Sequence, residues 1–143
     1  FSKKNVIKKH KMIKIIKFKK INNIKGNIIK ILSSKDKYFK KINEIYFSYV
    51  KHKSVKAWKK HNKIHLNLLV LNGKVKFVFY DGKKKFQSIS ITENSNKRIY
   101  IPSGVWFGFK GLNKKNLILS ISSGIASEKE ISRKNINEIK YYW

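Results

Sequence analysis

From Val55 to Phe109 turn residues cut the chain into short apolar runs, and this punctuation restricts the fold more than any other feature. Val55-Lys56-Ala57-Trp58-Lys59-Lys60-His61 is one run. Ile64 to Leu71 and Lys74 to Asp81 follow, on either side of Asn72-Gly73. Apolar and polar residues alternate there with the two-residue period of a strand. Asn-Gly between two such runs predicts a tight hairpin, because both residues tolerate positive φ. In Ile101-Pro102-Ser103-Gly104-Val105-Trp106-Phe107-Gly108-Phe109, the proline ends one strand and an aromatic strand begins beyond the corner. Further strands are predicted over Met12 to Lys19, Ile28 to Leu32, Glu44 to Val50, Phe86 to Ile91, Arg98 to Ile101 and Asn116 to Ser122. The tail from Ser127 has weak helical character at its start and aromatic residues at its end. Many short strands and no long helix predict an all-β barrel or sandwich of at least eight strands.

A chain of 143 residues suits one domain, residues 1–143, with one core. The net charge of +28 raises the question of a polyanion partner. Against a specific nucleic-acid reader, only Arg98 and Arg133 among the 35 basic residues are arginine, the side chain that best forks onto phosphates and guanine edges. The lysines are scattered, and their abundance beside Ile and Asn looks like drift towards A+T-rich codons. The expectation is weak, salt-sensitive polyanion binding without base preference. With no cysteine, disulfides and thiolate metal sites are excluded. No apolar run is long enough to span a membrane, and no secretory signal is read at the lysine-dotted N-terminus, so a cytoplasmic protein is expected.

The chemistry gathers around two histidines. If a strand begins at His61, then His61, Lys63, His65, Asn67 and Leu69 share one face, and Ile64, Leu66, Leu68 and Val70 the other. Periodicity leaves open which face is the core. A metal site is not expected, since Lys59 precedes His61 by two and no acid lies between Glu44 and Asp81. Acid–base chemistry fits better. His61 is the candidate base, Tyr46, Tyr49 and Tyr80 are phenolic acids, and Lys56 or Lys59 would meet a phosphate or an enolate oxygen. Trp58 or Trp106 would give a stacking surface for a ring, and His65 and Asn67 further substrate contacts. Each also has a plain reading as strand packing.

These residues resemble a family. Glu44-x-Tyr46-Phe47-Ser48, Lys56-Ala57-Trp58-Lys59-Lys60-His61, Leu66-Asn67-Leu68, Gly73 to Asp81, Pro102 to Phe109 and the terminal Tyr-x-Trp are similar to the dTDP-4-dehydrorhamnose 3,5-epimerases and the related sugar 3,4-ketoisomerases. The resemblance implies a cupin jelly-roll β-barrel. It implies a homodimer, with the Met12 to Lys19 segment crossing to the partner sheet. It also implies a cofactor-independent 3,5-epimerase acting on a nucleotide-linked 4-keto-6-deoxy sugar for surface-polysaccharide synthesis. Lys56 and Ala57 fall where the relatives have Arg-Gly, Lys59 where the ketoisomerases have the first His of a pair, and His61 at the second. The epimerases' catalytic Tyr falls near Leu119, and the acid that partners their base has no counterpart by motif; Asn135, Asn137 and Glu138 are the tail's offers. A non-catalytic sugar- or nucleotide-binding cupin is the alternative reading, and a lysine-driven polyanion binder the third.

Overall fold

The computed structural model describes residues 13–143, so Met12 lies outside the described residues. Twelve strands are described: β1 (Lys14–Lys17), β2 (Lys19–Ile21), β3 (Ile28–Lys30), β4 (Glu44–Tyr49), β5 (Val55–His61), β6 (Leu66–Asn72), β7 (Lys74–Tyr80), β8 (Phe86–Thr92), β9 (Lys97–Ile101), β10 (Trp106–Gly111), β11 (Leu117–Ser122) and β12 (Ile131–Arg133). No helix occurs among the described residues, and none is long and apolar enough to cross a membrane. Where weak helical character was predicted after Ser127, the chain makes a turn and then β12, because Ile131 to Arg133 find a ladder beside β5.

Two five-stranded sheets face each other, in the orders β1-β9-β6-β11-β4 and β12-β5-β10-β7-β8, with β2 and β3 as a separate hairpin. The layered jelly-roll arrangement agrees with the all-β expectation, but the barrel is not closed. No ladder joins edge strand β4 to β12, or β1 to β8. Glu44, Tyr46 and Ser48 alternate inward on β4, and polar groups on β5 meet them, so a polar opening stands where a closed barrel would continue the ladder.

The Asn72-Gly73 step is a second correction. It does not make a hairpin: β6 pairs with β9 and β11, β7 with β8 and β10. The chain instead folds from one sheet over to the other, so that Leu66, Leu68 and Val70 meet Val75, Phe77 and Phe79 across the core. Gly73 takes the corner at φ +85°, where a Cβ would collide with the Lys115 carbonyl oxygen. The Asn116 side chain holds the corner, accepting from the Lys74 N–H at 3.0 Å and donating to the Val50 carbonyl at 3.0 Å.

Both outer faces are partly covered by irregular chain. Over the first sheet, buried Arg98 donates to the Tyr38 carbonyl at 3.3 Å, to Asp36 at 3.4 Å and to Asn67. Over the second sheet lies the C-terminal tail. Its Ile139 carbonyl accepts from Trp58 Nε1 at 3.2 Å, and Tyr141 and Trp143 pack on the same indole. Gly108 is required beneath it: a Cβ there would meet Ala57 Cβ at 2.6 Å and Trp143 at 3.0 Å.

Candidate functional site

Strand β5 carries the site, and its alternation sorts its residues. Lys60 pairs with Trp106 and faces the tail, whereas Lys59 pairs with Phe107 and faces the inter-sheet space. His61, two residues on from Lys59, shares that inward face. On its other side β5 pairs with β12, Ile131 opposite His61 and Arg133 opposite Lys59. Arg133 thus joins the face that holds Lys59.

After His61 the strand stops, and the device that stops it is Glu130. Its Oε1 accepts from the N–H groups of Lys63 and Ile64, each at 3.0 Å, fixing the turn that carries the chain to the opposite sheet. Its Oε2 meets His61 Nδ1 at 2.6 Å, with the two side chains 11% and 3% exposed. Burial alone would raise the Glu130 carboxyl, but the Lys63 amide, the His61 ring and the Ile64 amide together hold it below the usual carboxylate value. Burial pushes the His61 imidazole below its ordinary value; the bond to Glu130 opposes this, and the charges of Lys59 and Arg133 add to it.

The outcome is a neutral ring at neutral pH whose Nδ1–H donates to a carboxylate. Its Nε2 is then a basic lone pair, buried and without a hydrogen-bond partner among the described residues. The ring stacks on Phe107, centroids 6.2 Å apart. Beside it opens a cavity of about 630 Å³ lined by Lys56, Lys59, Phe107, Phe109 and Arg133, with Ser48 from the opposite sheet and Asn135 and Glu138 from the tail. Tyr46, on the inward row of β4 with Ser48, has its phenol pushed up by burial; a bond with Ser120 opposes this, and the charges of Glu44 and Glu130 add to it. It therefore stays a proton donor. The arrangement offers an oriented imidazole base, a protonated phenol on the inward row of β4 and a cationic rim, the parts needed to remove a carbon-bound proton from an anionic substrate.

Of the residues singled out in the sequence, His61, Tyr46, Lys56 and Lys59 come together here. The others do not. His61 ends β5 in one sheet and His65 lies just before β6 of the other, because the Glu130-bound turn separates them and no single strand runs from His61 to Leu69. His65 and Asn67 lie on the outer face of the first sheet. His65 Nδ1 is 2.7 Å from the Tyr100 hydroxyl, and Asn67 serves Arg98 and Tyr38. Tyr80 and Trp106 lie on the outer face of the second sheet, Tyr80 donating to the Lys83 carbonyl at 2.8 Å and Trp106 carrying Lys60 and Lys134 on its ring. Trp58 borders the cavity, but its ring is packed under the tail and 2% exposed. Leu119 pairs with Phe47 on the outer face, and the buried hydroxyl that meets Tyr46 is that of the next residue, Ser120.

Sequence reasoning missed Glu130 and Arg133. Asn135, Asn137 and Glu138 were its alternatives for the acid behind the base. Of these, Glu138 lines the outer cleft and accepts from the Asn135 N–H. The local sequence carries no signal for it: Glu130 is one of only seven acids, but Ile131 is the only β-branched residue beside it and nothing there marks a strand. No group of three or more metal-ligating side chains occurs among the described residues.

Solved structures share this fold. The 3,4-ketoisomerase QdtA from Thermoanaerobacterium thermosaccharolyticum, in complex with TDP-4-keto-6-deoxyglucose, is 24% identical with a TM-score of 0.75, over 85% of this chain and 87% of that one. The TDP-fucose-3,4-ketoisomerase WlaRA from Campylobacter jejuni is 25% identical with a TM-score of 0.72, over 84% and 87%. The 3,5-epimerase RmlC from Legionella pneumophila, in complex with dTDP-4-keto-L-rhamnose, is 16% identical with a TM-score of 0.73, over 85% and 71%. No curated protein matches the chain by sequence. The FdtA family model, described as WxcM-like, C-terminal, matches residues 11–140, and the chain belongs to that family.

Proposed function

We propose that this protein isomerises a nucleotide-linked 4-keto-6-deoxy sugar by moving the carbonyl from C4 to C3. His61 removes the C3 proton and returns it at C4, while Lys56 and Arg133 hold the diphosphate and Phe107 and Phe109 lie under the sugar. The observation that carries this reading is the buried Nε2 of His61, backed by Glu130 and stacked on Phe107, a wall of the cationic cleft. For the carbon-bound proton, transposition needs only one base working on adjacent carbons. The names of the ketoisomerases QdtA and WlaRA support it, and TDP-sugars are the ligand class they suggest. A second reading is the 3,5-epimerisation expected from the sequence. It is favoured by Tyr46, a phenol held protonated on the strand facing the imidazole, since inversion needs an acid on the opposite side of the ring. Neither reaction asks for a redox cofactor, because the sugar gains and loses no electrons overall.

The test is proton NMR of TDP-4-keto-6-deoxyglucose incubated with the protein in heavy water. A 3-keto product is the expected result, with deuterium at C4 to the extent that the imidazolium exchanges with solvent before it protonates that carbon. Inversion at C3 or C5 with the ketone left at C4 would establish the epimerase reading instead. TDP binding with neither a new product nor exchange would leave a nucleotide-sugar binding protein.

The active form is proposed to be a homodimer. Ile45, Phe47 and Tyr49 stand 55%, 57% and 69% exposed in one row on edge strand β4, more apolar surface than a lone sheet face comfortably leaves in water. Sedimentation at micromolar concentration should give twice the chain mass. Phe47→Lys should shift it to the monomer, and a wild-type monomer would contradict the assignment.

A further inference from the structure

Lys59 stands two residues before His61 on the same inward row of β5, and the two side chains meet one ring. The imidazole stacks on Phe107 at 6.2 Å, and Lys59 Nζ stands 5.9 Å from the centroid of that phenyl. The titratable and charged groups around Lys59 are Lys56 and His61 on its own strand, Glu130 and Arg133 from the β12 side, Tyr46 from β4, Glu138 from the tail, and Lys134, which lines the same cavity with its Nζ over Trp106. Glu130 is already committed to His61 and two amides. Arg133 cannot release a proton in the working range.

A carbonyl transposition moves more than the carbon-bound proton. The C4 oxygen must gain a proton as the C3 proton leaves, and the C3 oxygen must lose one as C4 is protonated. We propose that Lys59 is the catalytic acid–base group that carries these oxygen protons, an inference that rests on the isomerase reading of the cleft. In the first half, His61 Nε2 takes the proton from C3, the electron pair forms the C3=C4 double bond, and the Lys59 ammonium protonates the C4 oxygen, leaving a neutral enediol. In the second half, the Lys59 amine takes the proton from the C3 hydroxyl, the C3=O bond forms, and the His61 imidazolium delivers its proton to C4. His61 ends neutral and Lys59 charged, as both began, so the cycle closes without another acid, base or co-reactant. The environment suits the role. Burial lowers the ammonium's proton affinity, repulsion from Arg133 and Lys56 adds to this, and Glu130 opposes it. By contrast, the Tyr46 phenol is pushed the other way and is the poorer donor to a ketone oxygen.

Lys59→Arg keeps the positive charge but cannot exchange a proton, and Lys59→Met removes both. Wild type and both variants are compared by thermal melting, TDP affinity and turnover of TDP-4-keto-6-deoxyglucose across pH. The expected result is that both variants melt normally and Lys59→Arg still binds TDP, yet both lose about 10²–10⁴-fold in turnover, the usual share of a proton-transferring group. The wild-type rate should fall on the basic side below the ordinary lysine value, a limb that needs no variant to observe and that Lys59→Arg should lack. A Lys59→Arg variant within a few-fold of wild type, keeping the basic limb, would overturn the proposal and leave Lys59 as a fixed charge. Wild type that binds TDP but forms no 3-keto product would overturn the isomerase reading, and this role with it.

Discussion

Replacing His61 by alanine should lower turnover of a 4-keto sugar nucleotide by about 10²–10⁴-fold, the loss expected when a positioned base is removed, while TDP affinity stays near that of wild type. The two readouts separate because the cationic rim, Lys56, Lys59 and Arg133, is independent of the imidazole. The fold should survive, since Glu130 keeps the amide donors of Lys63 and Ile64. The pH dependence has a definite sign. Burial lowers the folded-state pKa of His61, so the base is neutral and active above its ordinary value of about 6.5, and the acid limb of the rate should lie below that value. Stability follows the same direction. The unfolded imidazole binds a proton before the folded one does, so this contribution is complete above the unfolded value and is lost as the pH falls through the folded value. In His61→Ala both the acid limb and this share of acid sensitivity should disappear. A variant with wild-type turnover would remove His61 from the chemistry.

The strands were legible because their residues are informative one at a time. Glu44 to Val50 reads as a strand from its β-branched and aromatic content, Val55 to Lys60 and Trp106 to Phe109 read as strands between their turns, and the three fall on β4, β5 and β10. Partners were less legible. Asn72-Gly73 carries the local signature of a hairpin, and that chemistry fixes only the positive φ at Gly73. Whether the chain returns beside itself or passes to the opposite layer depends on which apolar row buries which, and Val75, Phe77 and Phe79 find Leu66, Leu68 and Val70 across the core. The same limit placed His61 and His65 on one imagined strand. The turn between them exists because Glu130, far along the chain, takes the Lys63 and Ile64 amides, and no periodicity near His61 encodes that. His61, Lys56 and Lys59 could be found because type and spacing on one strand define their chemistry. Glu130 and Arg133 could not, since their value lies in the register of β12 against β5.

Trp58→Ala should cost about 3–5 kcal/mol of stability, the range for emptying a buried tryptophan site, and should weaken TDP binding as well. Trp58 is 2% exposed and sits where β5 meets the tail. Its ring contacts Tyr141 and Trp143 at centroid distances of 6.4 and 5.2 Å, and its Nε1 donates to the Ile139 carbonyl. The remaining ties between tail and strand include the two backbone bonds between Trp58 and Lys134, at 2.9 and 3.1 Å. Loss of the indole therefore frees the tail beyond Lys134 to detach, and with it Asn135 and Glu138, which wall the cleft. Urea unfolding should show a lower midpoint; a slope that also changes would mean that the tail has already left the native state. Trp58→Phe keeps most of the apolar volume but not the hydrogen bond, so it should lose less stability than the alanine variant. The contrast with His61→Ala decides whether the tail belongs to the site. The base variant should bind and not turn over, whereas Trp58→Ala should bind poorly with its base intact. If Trp58→Ala were destabilised by the expected amount yet bound TDP as wild type does, the tail would be a cover for the second sheet and not a wall of the cleft.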